Sequence, residues 1–300
     1  MHLGFLKDSE ARVSISPTTS EKFKKLDHKV SIEKGAGLLS GFPDSEYVNA
    51  AFSTRKDIIR NCDILISVNS SSYGELSSYK GKILISNFSV DPDRNKLKKE
   101  LEKHKIIAYD LSMIPRTTIA QSMDILSSMA GLSGYKSIIK AAELLPKIFP
   151  MTITAAGSIK PVKVVVLGAG VAGLQAIATA KRLGAIVEAS DPREAAKEEV
   201  LSLGAKFIDV EGAVEDSSAG GYAIKQSKEY LAKQKEEVSK RLIQADVVVT
   251  TAQVFGAKSP ILIPKTIVDK MSYGSVIIDL ASSTGGNCEL TQDSKVIEHN

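Results

Sequence analysis

One segment of this sequence, 162–191, constrains the fold more than any other. Its letters are VKVVVLGAGVAGLQAIATAKRLGAIVEASD: an apolar run, a glycine-rich turn, a run with helical spacing, and a second apolar run ending on Asp191. A strand, a tight turn, a helix and a second strand in this order form a βαβ unit of a parallel α/β sheet. The segment therefore predicts a Rossmann-like unit in this half of the chain.

The turn of this segment carries Gly168, Gly170 and Gly173, the pattern G-x-G-x-x-G. The first glycine permits a tight turn, the second lets the backbone approach a pyrophosphate, and the third lets the helix pack close to its strand. The helix N-terminus then offers N–H groups and a positive dipole end to the phosphates. A dinucleotide site is predicted here; the alternative is a tight turn that binds no ligand.

An acidic residue follows the second strand of the unit. Asp191 lies about 20 residues beyond the glycines, where a carboxylate accepts hydrogen bonds from the adenosine ribose and repels a 2′-phosphate. This position favours NAD(H) over NADP(H). Arg193 leaves an alternative open, because it could accommodate that phosphate or pair with Asp191 or with Glu194.

Apolar runs and helix-like segments also alternate in the rest of the chain. Before the linker, strands are predicted at 2–6, 29–33, 63–68, 82–88 and 106–111, and helices at 18–26, 47–61, 92–104 and 120–145. After it, strands are predicted at 163–168, 185–190, 206–210, 246–252 and 275–281, with a charged helix at 222–245. The alternation predicts two doubly wound parallel-sheet domains, 1–126 and 161–300. A helix and a hairpin-like linker, 127–160, would connect them.

Composition excludes several classes of protein. A chain of 300 residues with 43% hydrophobic and 25% charged residues can bury two ordinary cores. A net charge of +4, with the densest lysine run (96–105) of mixed sign, argues against a nucleic-acid partner. The two cysteines, Cys62 and Cys288, have no metal-ligand spacing and predict free thiols in a reducing compartment. No apolar stretch is long enough to cross a membrane, so we expect a cytoplasmic protein.

Several segments together resemble a known family. GAGVAGLQAIATAKRLGA, VVVTTA, GSVIIDLASSTGGNCEL, EARVSISP and PRTTIAQSMDILSS are similar to the alanine dehydrogenase/transhydrogenase family, and within it to the NAD(H)-binding subunits of proton-translocating NAD(P) transhydrogenases. The most specific part is R-x-x-x-x-Q-x-x-D-x-x-S, which here is Arg116, Gln121, Asp124 and Ser127. These side chains face the nicotinamide half of the cofactor in the family. On a helix the last three would share one face.

The resemblance implies a set of cofactor-binding residues and no metal. The segment 217–226 is similar to the family's mobile loop, which closes over bound nucleotide with Tyr222 at its tip. The full set is Arg116, Gln121, Ser122, Met123, Asp124, Ser127, Gly168, Ala169, Gly170, Val171, Ala172, Gly173, Asp191, Pro192, Arg193, Gly221, Tyr222, Gln234, Ala252 and Gln253.

Acid–base groups distinguish the two activities of this family. Alanine dehydrogenase moves a proton as well as a hydride, and its expected histidine before Arg116 and lysine after the strand DILISV are both absent here. Arg12, which would hold a keto-acid carboxylate there, has a structural ion pair with Glu10 as its alternative role. Hydride transfer between two nicotinamides needs apposition of the rings and no acid or base. The sequence therefore predicts no catalytic residue on this chain.

By resemblance, the two Rossmann-like domains would leave a cofactor cleft between them in which NAD(H) binds. The chain would also form a homodimer and work with an NADP(H)-binding subunit and a membrane-spanning subunit. It would lie in the cytoplasm, peripheral to the inner membrane through those partners. The family continues beyond GGNCELTQDSKVIEHN with a strand and a helix that returns to the first domain, so an exposed apolar face is expected there. Two alternatives remain open: an alanine-dehydrogenase-type enzyme, and an NAD-binding module without activity.

Overall fold

Six short segments of the N-terminal half form one parallel sheet. The computed structural model describes residues 1–48, 50–70, 73–88, 93–115, 119–193, 195–209, 228–253 and 258–299, and the chain divides into units Met1–Ile125 and Leu126–Asn300. In the first unit all strand pairs are parallel, in the order β3-β2-β1-β4-β5-β6. The strands are β1 His2–Phe5, β2 Lys29–Glu33, β3 Ala51–Ser53, β4 Ile64–Asn69, β5 Ile83–Asn87 and β6 Ile107–Asp110.

Helices connect these strands, and three of them begin at a residue whose side chain caps the helix. The helices are α1 Pro17–Lys25, α2 Arg55–Asn61, α3 Tyr73–Leu76 and α4 Arg94–Lys103. Ser16, Thr54 and Asp93 each accept a backbone N–H of the first turn of α1, α2 and α4, which satisfies a donor that the helix itself leaves unpaired.

One predicted helix of this unit is wrong. Segment 47–61 contains β3, which pairs with β2 from Ala51 to Ser53, followed by the short helix α2. Thr54 separates the two elements, because its side chain accepts the N–H of Asp57 and so starts a helix at Arg55. Helical spacing of apolar residues across the whole segment hid this boundary.

The second unit is built around a central buried strand. Its sheet is also fully parallel, in the order β11-β10-β9-β12-β13. Alternate residues of β9 enter two different cores: Val164 and Val166 lie in one with Ile177 of the helix after β9, whereas Val165 lies in the other with Leu242. The elements are β9 Lys163–Leu167, α6 Val171–Arg182, β10 Ile186–Ser190, α7 Ala195–Ser202, β11 Lys206–Phe207, α8 Lys228–Ile243, β12 Val247–Thr250, α9 Lys265–Val268 and β13 Val276–Asp279. The predicted doubly wound parallel α/β class is thus confirmed for both sheets.

A long helix and a hairpin open the second unit. Helix α5 spans Ile125–Leu144, and the strands β7 Thr152–Thr154 and β8 Gly157–Ile159 pair antiparallel. A Cβ added to Gly134 of α5 would lie 2.0 Å from the carbonyl oxygen of Ala172 in α6, so the two helices touch backbone to backbone. Among the described residues, no helix is both long and apolar enough to span a bilayer.

Candidate dinucleotide-binding site

The turn after β9 requires glycine at two positions, for conformational and steric reasons. Gly168 has a φ of +98°, which side-chain-bearing residues rarely adopt, and a Cβ there would lie 2.5 Å from Thr251 Oγ1. A Cβ on Gly173 would lie 1.8 Å from the carbonyl oxygen of Gly168, so only glycine lets α6 pack this close to its strand. Both positions match the purposes predicted from the sequence.

The second glycine has a different environment. A Cβ added to Gly170 would meet no atom of the described residues within 4 Å, so among them open space lies in front of this backbone. Gly170 is the N-cap of α6 and provides no side-chain cap, and the first turn of the helix contains no acidic residue. The positive end of α6 is therefore available to an anionic group, as a pyrophosphate site requires. Val171, Ala172 and the buried Ala169 complete the turn.

Asp191 lies directly after β10 beside this turn and is 5% exposed. Its Oδ2 accepts the backbone N–H of Ala169 at 2.8 Å, and its Oδ1 accepts the backbone N–H of Arg193 at 2.9 Å. The Arg193 side chain donates to both oxygens, from Nε at 2.8 Å and from Nη2 at 2.9 Å. Of the roles the sequence left open for Arg193, the ion pair with Asp191 is present; Glu194 lies outside the described residues.

The end of β12 forms the other side of the glycine turn. Thr251 donates its backbone N–H to Leu167 O at 2.9 Å and its hydroxyl to Gly168 O at 3.0 Å. The chain crosses from β11 to β12 on the far side of β9, so this is the topological switch point where open α/β sheets bind ligands. Ala252 is half-buried, and the exposed Gln253 donates its amide to Leu280 O at 3.0 Å.

Two residues outside the predicted site, Asn287 and Asp279, hold this segment in place. Asn287 is fully buried; its Oδ1 accepts the N–H of Ala252 at 3.0 Å, and its Nδ2 donates to the carbonyl oxygens of Ala252 at 2.9 Å and Pro260 at 2.8 Å. Asp279, the last residue of β13, accepts the backbone N–H of Asn287 at 2.7 Å and the hydroxyl of Thr250 at 2.9 Å. We call Asn287 and Asp279 the Asn287 clamp.

The predicted nicotinamide-side residues occupy several kinds of position. Gln121, Ser122 and Met123 form a 3₁₀ turn, and Asp124 is buried just before α5 begins. Of Gln121, Asp124 and Ser127, only the half-buried Ser127 therefore belongs to α5, and the prediction that the helix begins at residue 120 is wrong. Aspartate favours the position before a helix, since its carboxylate competes for backbone N–H groups within one.

Only some of the remaining residues that were predicted to contact the cofactor lie among the described residues. Arg116, Gly221, Tyr222 and the loop 217–226 lie outside the described residues. Gln234 lies half-buried on α8, and Pro192 is half-buried between Asp191 and Arg193. Their predicted contacts with a cofactor remain predictions.

In the first unit, Arg12 forms the ion pair that the sequence offered as its structural role. Its Nε donates to Glu10 Oε2 at 2.7 Å and its Nη2 to Glu10 Oε1 at 2.5 Å, and Asn69 also donates to Glu10. Hydrogen bonding to Arg12 holds the pKa of Glu10 below its usual value, while burial raises the pKa of Asp8 beside them. The guanidinium of Arg12 is thus already neutralised by a carboxylate of the chain.

The described residues contain no group of three or more histidines, cysteines or acids arranged to hold a metal ion. Cys62 and Cys288 are free and buried, and burial raises the pKa of both thiols. A raised pKa keeps a thiol protonated and unreactive near neutrality.

Comparison with known proteins extends over the whole chain. The alanine dehydrogenase/PNT N-terminal domain model matches residues 6–133, and the C-terminal domain model of the same family matches residues 137–300. An NAD(P) transhydrogenase alpha subunit of Rickettsia prowazekii is 42% identical over 297 residues, which are 96% of this chain and 77% of that protein. The crystal structure of transhydrogenase from Sinorhizobium meliloti superposes with a TM-score of 0.90 at 40% identity, covering 100% of this chain and 83% of that one.

An alanine dehydrogenase of Methanococcus maripaludis is more distant, at 30% identity over 293 residues, with 95% of this chain and 72% of that protein covered. The predicted resemblance is confirmed by both the family models and the relatives. This chain belongs to the alanine dehydrogenase/PNT family.

Proposed function

We propose that this chain binds NAD(H) at the turn between β9 and α6. The pyrophosphate would lie in the open space before Gly170, at the positive end of α6, and the adenosine ribose would bind Asp191. The open backbone at Gly170, next to a buried carboxylate at the end of the neighbouring strand, is the observation that carries this proposal. Arg116, Gln121, Asp124 and Ser127 are proposed contacts of the nicotinamide half, on the resemblance to the family.

The proposed activity is that of the NAD(H)-binding subunit of a proton-translocating transhydrogenase. Hydride would pass directly between NAD(H) on this chain and NADP(H) on a partner subunit, coupled to proton movement through a membrane subunit. Support comes from the 42% identity with a transhydrogenase subunit, against 30% with an alanine dehydrogenase. We also propose a homodimer that lies in the cytoplasm at the inner membrane, held there by these partners.

The second candidate is an alanine-dehydrogenase-type activity, to which the pairing of Arg12 is relevant. A keto-acid carboxylate needs a cation, and the guanidinium of Arg12 already binds both carboxylate oxygens of Glu10. A substrate would have to displace Glu10, which Asn69 also holds. This contact favours transhydrogenation over the second candidate.

Gly170→Ala tests the cofactor site. The added methyl has room in the protein and φ at this position is −75°, so we expect the melting temperature to stay within about 2 °C of the wild type. NADH binding, followed by nicotinamide fluorescence, should weaken at least about tenfold because the methyl occupies the phosphate position. Gly131→Ala is the matched control, since its Cβ also has room: among the described residues its nearest neighbour is Val171, at 3.9 Å. Equal NADH affinity in Gly170→Ala and wild type would contradict the proposed site.

The activity is tested by mixing the chain with a purified NADP(H)-binding subunit. Hydride exchange between NADH and an oxidised NADP analogue would support transhydrogenation. Pyruvate- and ammonia-dependent oxidation of NADH by the chain alone would instead support the second candidate. Binding of NADH without either turnover would identify a binding module that has no activity.

A further inference from the structure

Arg193 fills the hydrogen-bonding capacity of Asp191. A carboxylate offers about four lone-pair positions, two on each oxygen. In this chain four donors occupy them: the backbone N–H groups of Ala169 and Arg193, and Nε and Nη2 of the Arg193 guanidinium, all at 2.8–2.9 Å. A ribose that binds Asp191 must therefore replace some of these donors.

The four donors differ in how easily they can leave. The backbone N–H of Ala169 belongs to the glycine turn, and the backbone N–H of Arg193 closes a tight turn onto Asp191 two residues earlier. Neither can move without a change in the main chain. The guanidinium of Arg193 is on a flexible side chain that is 29% exposed, so it can rotate away. Only its two bonds are available for exchange.

We propose that Arg193 competes with the nucleotide ribose for Asp191 and thereby sets the selectivity between NADH and NADPH. This inference rests on the proposed NAD(H) site. The two ribose hydroxyls of NADH would take the acceptor positions that Nε and Nη2 hold, at the cost of a bidentate, charge-assisted pair. The guanidinium, once displaced, would remain within reach of the ribose 2′-oxygen, because the Arg193 backbone is fixed by the turn.

For NADPH, the displaced guanidinium favours binding, whereas for NADH its displacement opposes binding. A 2′-phosphate cannot accept a hydrogen bond from a carboxylate and is repelled by it, but a guanidinium binds phosphate in a bidentate manner. Arg193 therefore weakens NADH binding and reduces the repulsion of NADPH. Asp191 provides the preference for NADH, and Arg193 limits how strong that preference becomes.

The test measures equilibrium binding of NADH and of NADPH to the full chain carrying Arg193→Ala. Both oxygens of Asp191 keep one backbone donor each, so the carboxylate should stay in place and NADH should bind about threefold to tenfold more tightly. The ratio of the NADPH and NADH dissociation constants should rise at least about tenfold. Arg193→Gln, which keeps a shorter donor, should lie between wild type and Arg193→Ala in both measurements.

Two further variants separate failure of this inference from failure of the proposed site. Arg182→Ala removes an exposed arginine of the same unit and should leave both dissociation constants unchanged, which controls for loss of positive charge. Asp191→Ala should abolish most of the NADH affinity. If Asp191→Ala binds NADH like the wild type, the proposed site is wrong. If Asp191→Ala loses NADH but Arg193→Ala binds it equally or more weakly, or the selectivity ratio is unchanged, competition by Arg193 is refuted.

Discussion

Replacing Asn287 by alanine should destabilise the second unit strongly, although the residue lies outside every regular helix and strand. The side chain is fully buried and makes three hydrogen bonds, one from the N–H of Ala252 and two to the carbonyl oxygens of Ala252 and Pro260. Alanine removes the partner of all three backbone groups at once. The segment that follows β12 then loses its attachment to the chain beyond β13.

The expected loss of unfolding free energy in Asn287→Ala follows from the number of hydrogen bonds removed. Each buried hydrogen bond contributes about 1 kcal/mol net, and a backbone group left unsatisfied costs about 1–3 kcal/mol. Ala252 is half-buried, so water can reach part of the space and the lower end of this range applies. The free energy of unfolding should therefore fall by about 3 kcal/mol, which lowers the melting temperature of a unit of this size by about 6–12 °C.

Urea unfolding and thermal unfolding, followed by circular dichroism, measure this loss. Gln292→Ala is the matched control, because Gln292 is exposed a few residues further along the chain and its loss should cost less than about 0.5 kcal/mol. Asn287→Asp keeps the oxygen that accepts from Ala252 but replaces the Nδ2 donor by a second oxygen facing two carbonyls. It should destabilise at least as much as alanine.

A loss below about 1 kcal/mol in Asn287→Ala would refute the assigned role of the Asn287 clamp. Wild-type stability in Asn287→Asp would refute it equally, because the clamp requires a donor at Nδ2. NADH affinity of the folded variant provides a second measurement, since a loosened Ala252 should weaken the proposed cofactor contact several-fold.

Two charge clusters of the first unit lead to further predictions. Arg55 bridges Glu33 at 3.0 Å and Glu75 at 3.1 Å, so Arg55→Ala should lower the free energy of unfolding by about 2 kcal/mol, discounted because Arg55 is 30% exposed. Urea unfolding of Arg55→Ala within about 0.5 kcal/mol of wild type would contradict this bridging role. Hydrogen bonding to Arg12 lowers the pKa of Glu10 from 4.5. Both side chains are about a third exposed, so their ion pair contributes less than about 1 kcal/mol to the free energy of unfolding. This contribution is present above pH 4.5 and is lost as the pH falls through the lowered pKa. The difference in unfolding free energy between wild type and Glu10→Gln should therefore shrink on acidification, and a difference independent of pH would exclude the pair as its cause.

The sequence pattern predicts correctly those parts of the fold whose contacts are made between residues close together in sequence. The strand after the linker, the glycine turn and the acid at the end of the next strand all lie within residues 162–191. Gly173 packs against the carbonyl oxygen of Gly168, and Asp191 accepts the backbone N–H of Ala169. Contacts between residues of the motif therefore fix its packing.

The remaining features depend on residues distant in sequence or on competing local preferences. Asn287 contacts Ala252 across 35 positions, and Asn-rich or Gly-rich loops give no local sign of such a partner. The helix predicted from residue 120 begins at Ile125 instead, because periodicity extends through residues that fold as a 3₁₀ turn. Periodicity identifies an element better than it identifies the residue at which that element begins.

The backbone contact between Gly134 and Ala172 has a consequence for mutational scanning. Position 134 is assigned no cofactor contact of its own, yet any side chain there would collide with the carbonyl oxygen of Ala172 in the first turn of α6 and push the two helices apart. Ser127 lies about 10 Å from Gly134 along the axis of the same helix, α5, so a shift of the helix would also move Ser127. Substitutions at this crossing should therefore produce the phenotype of a binding-site mutant, and a deep mutational scan would find an intolerant buried glycine that supports the proposed phosphate-binding turn from behind.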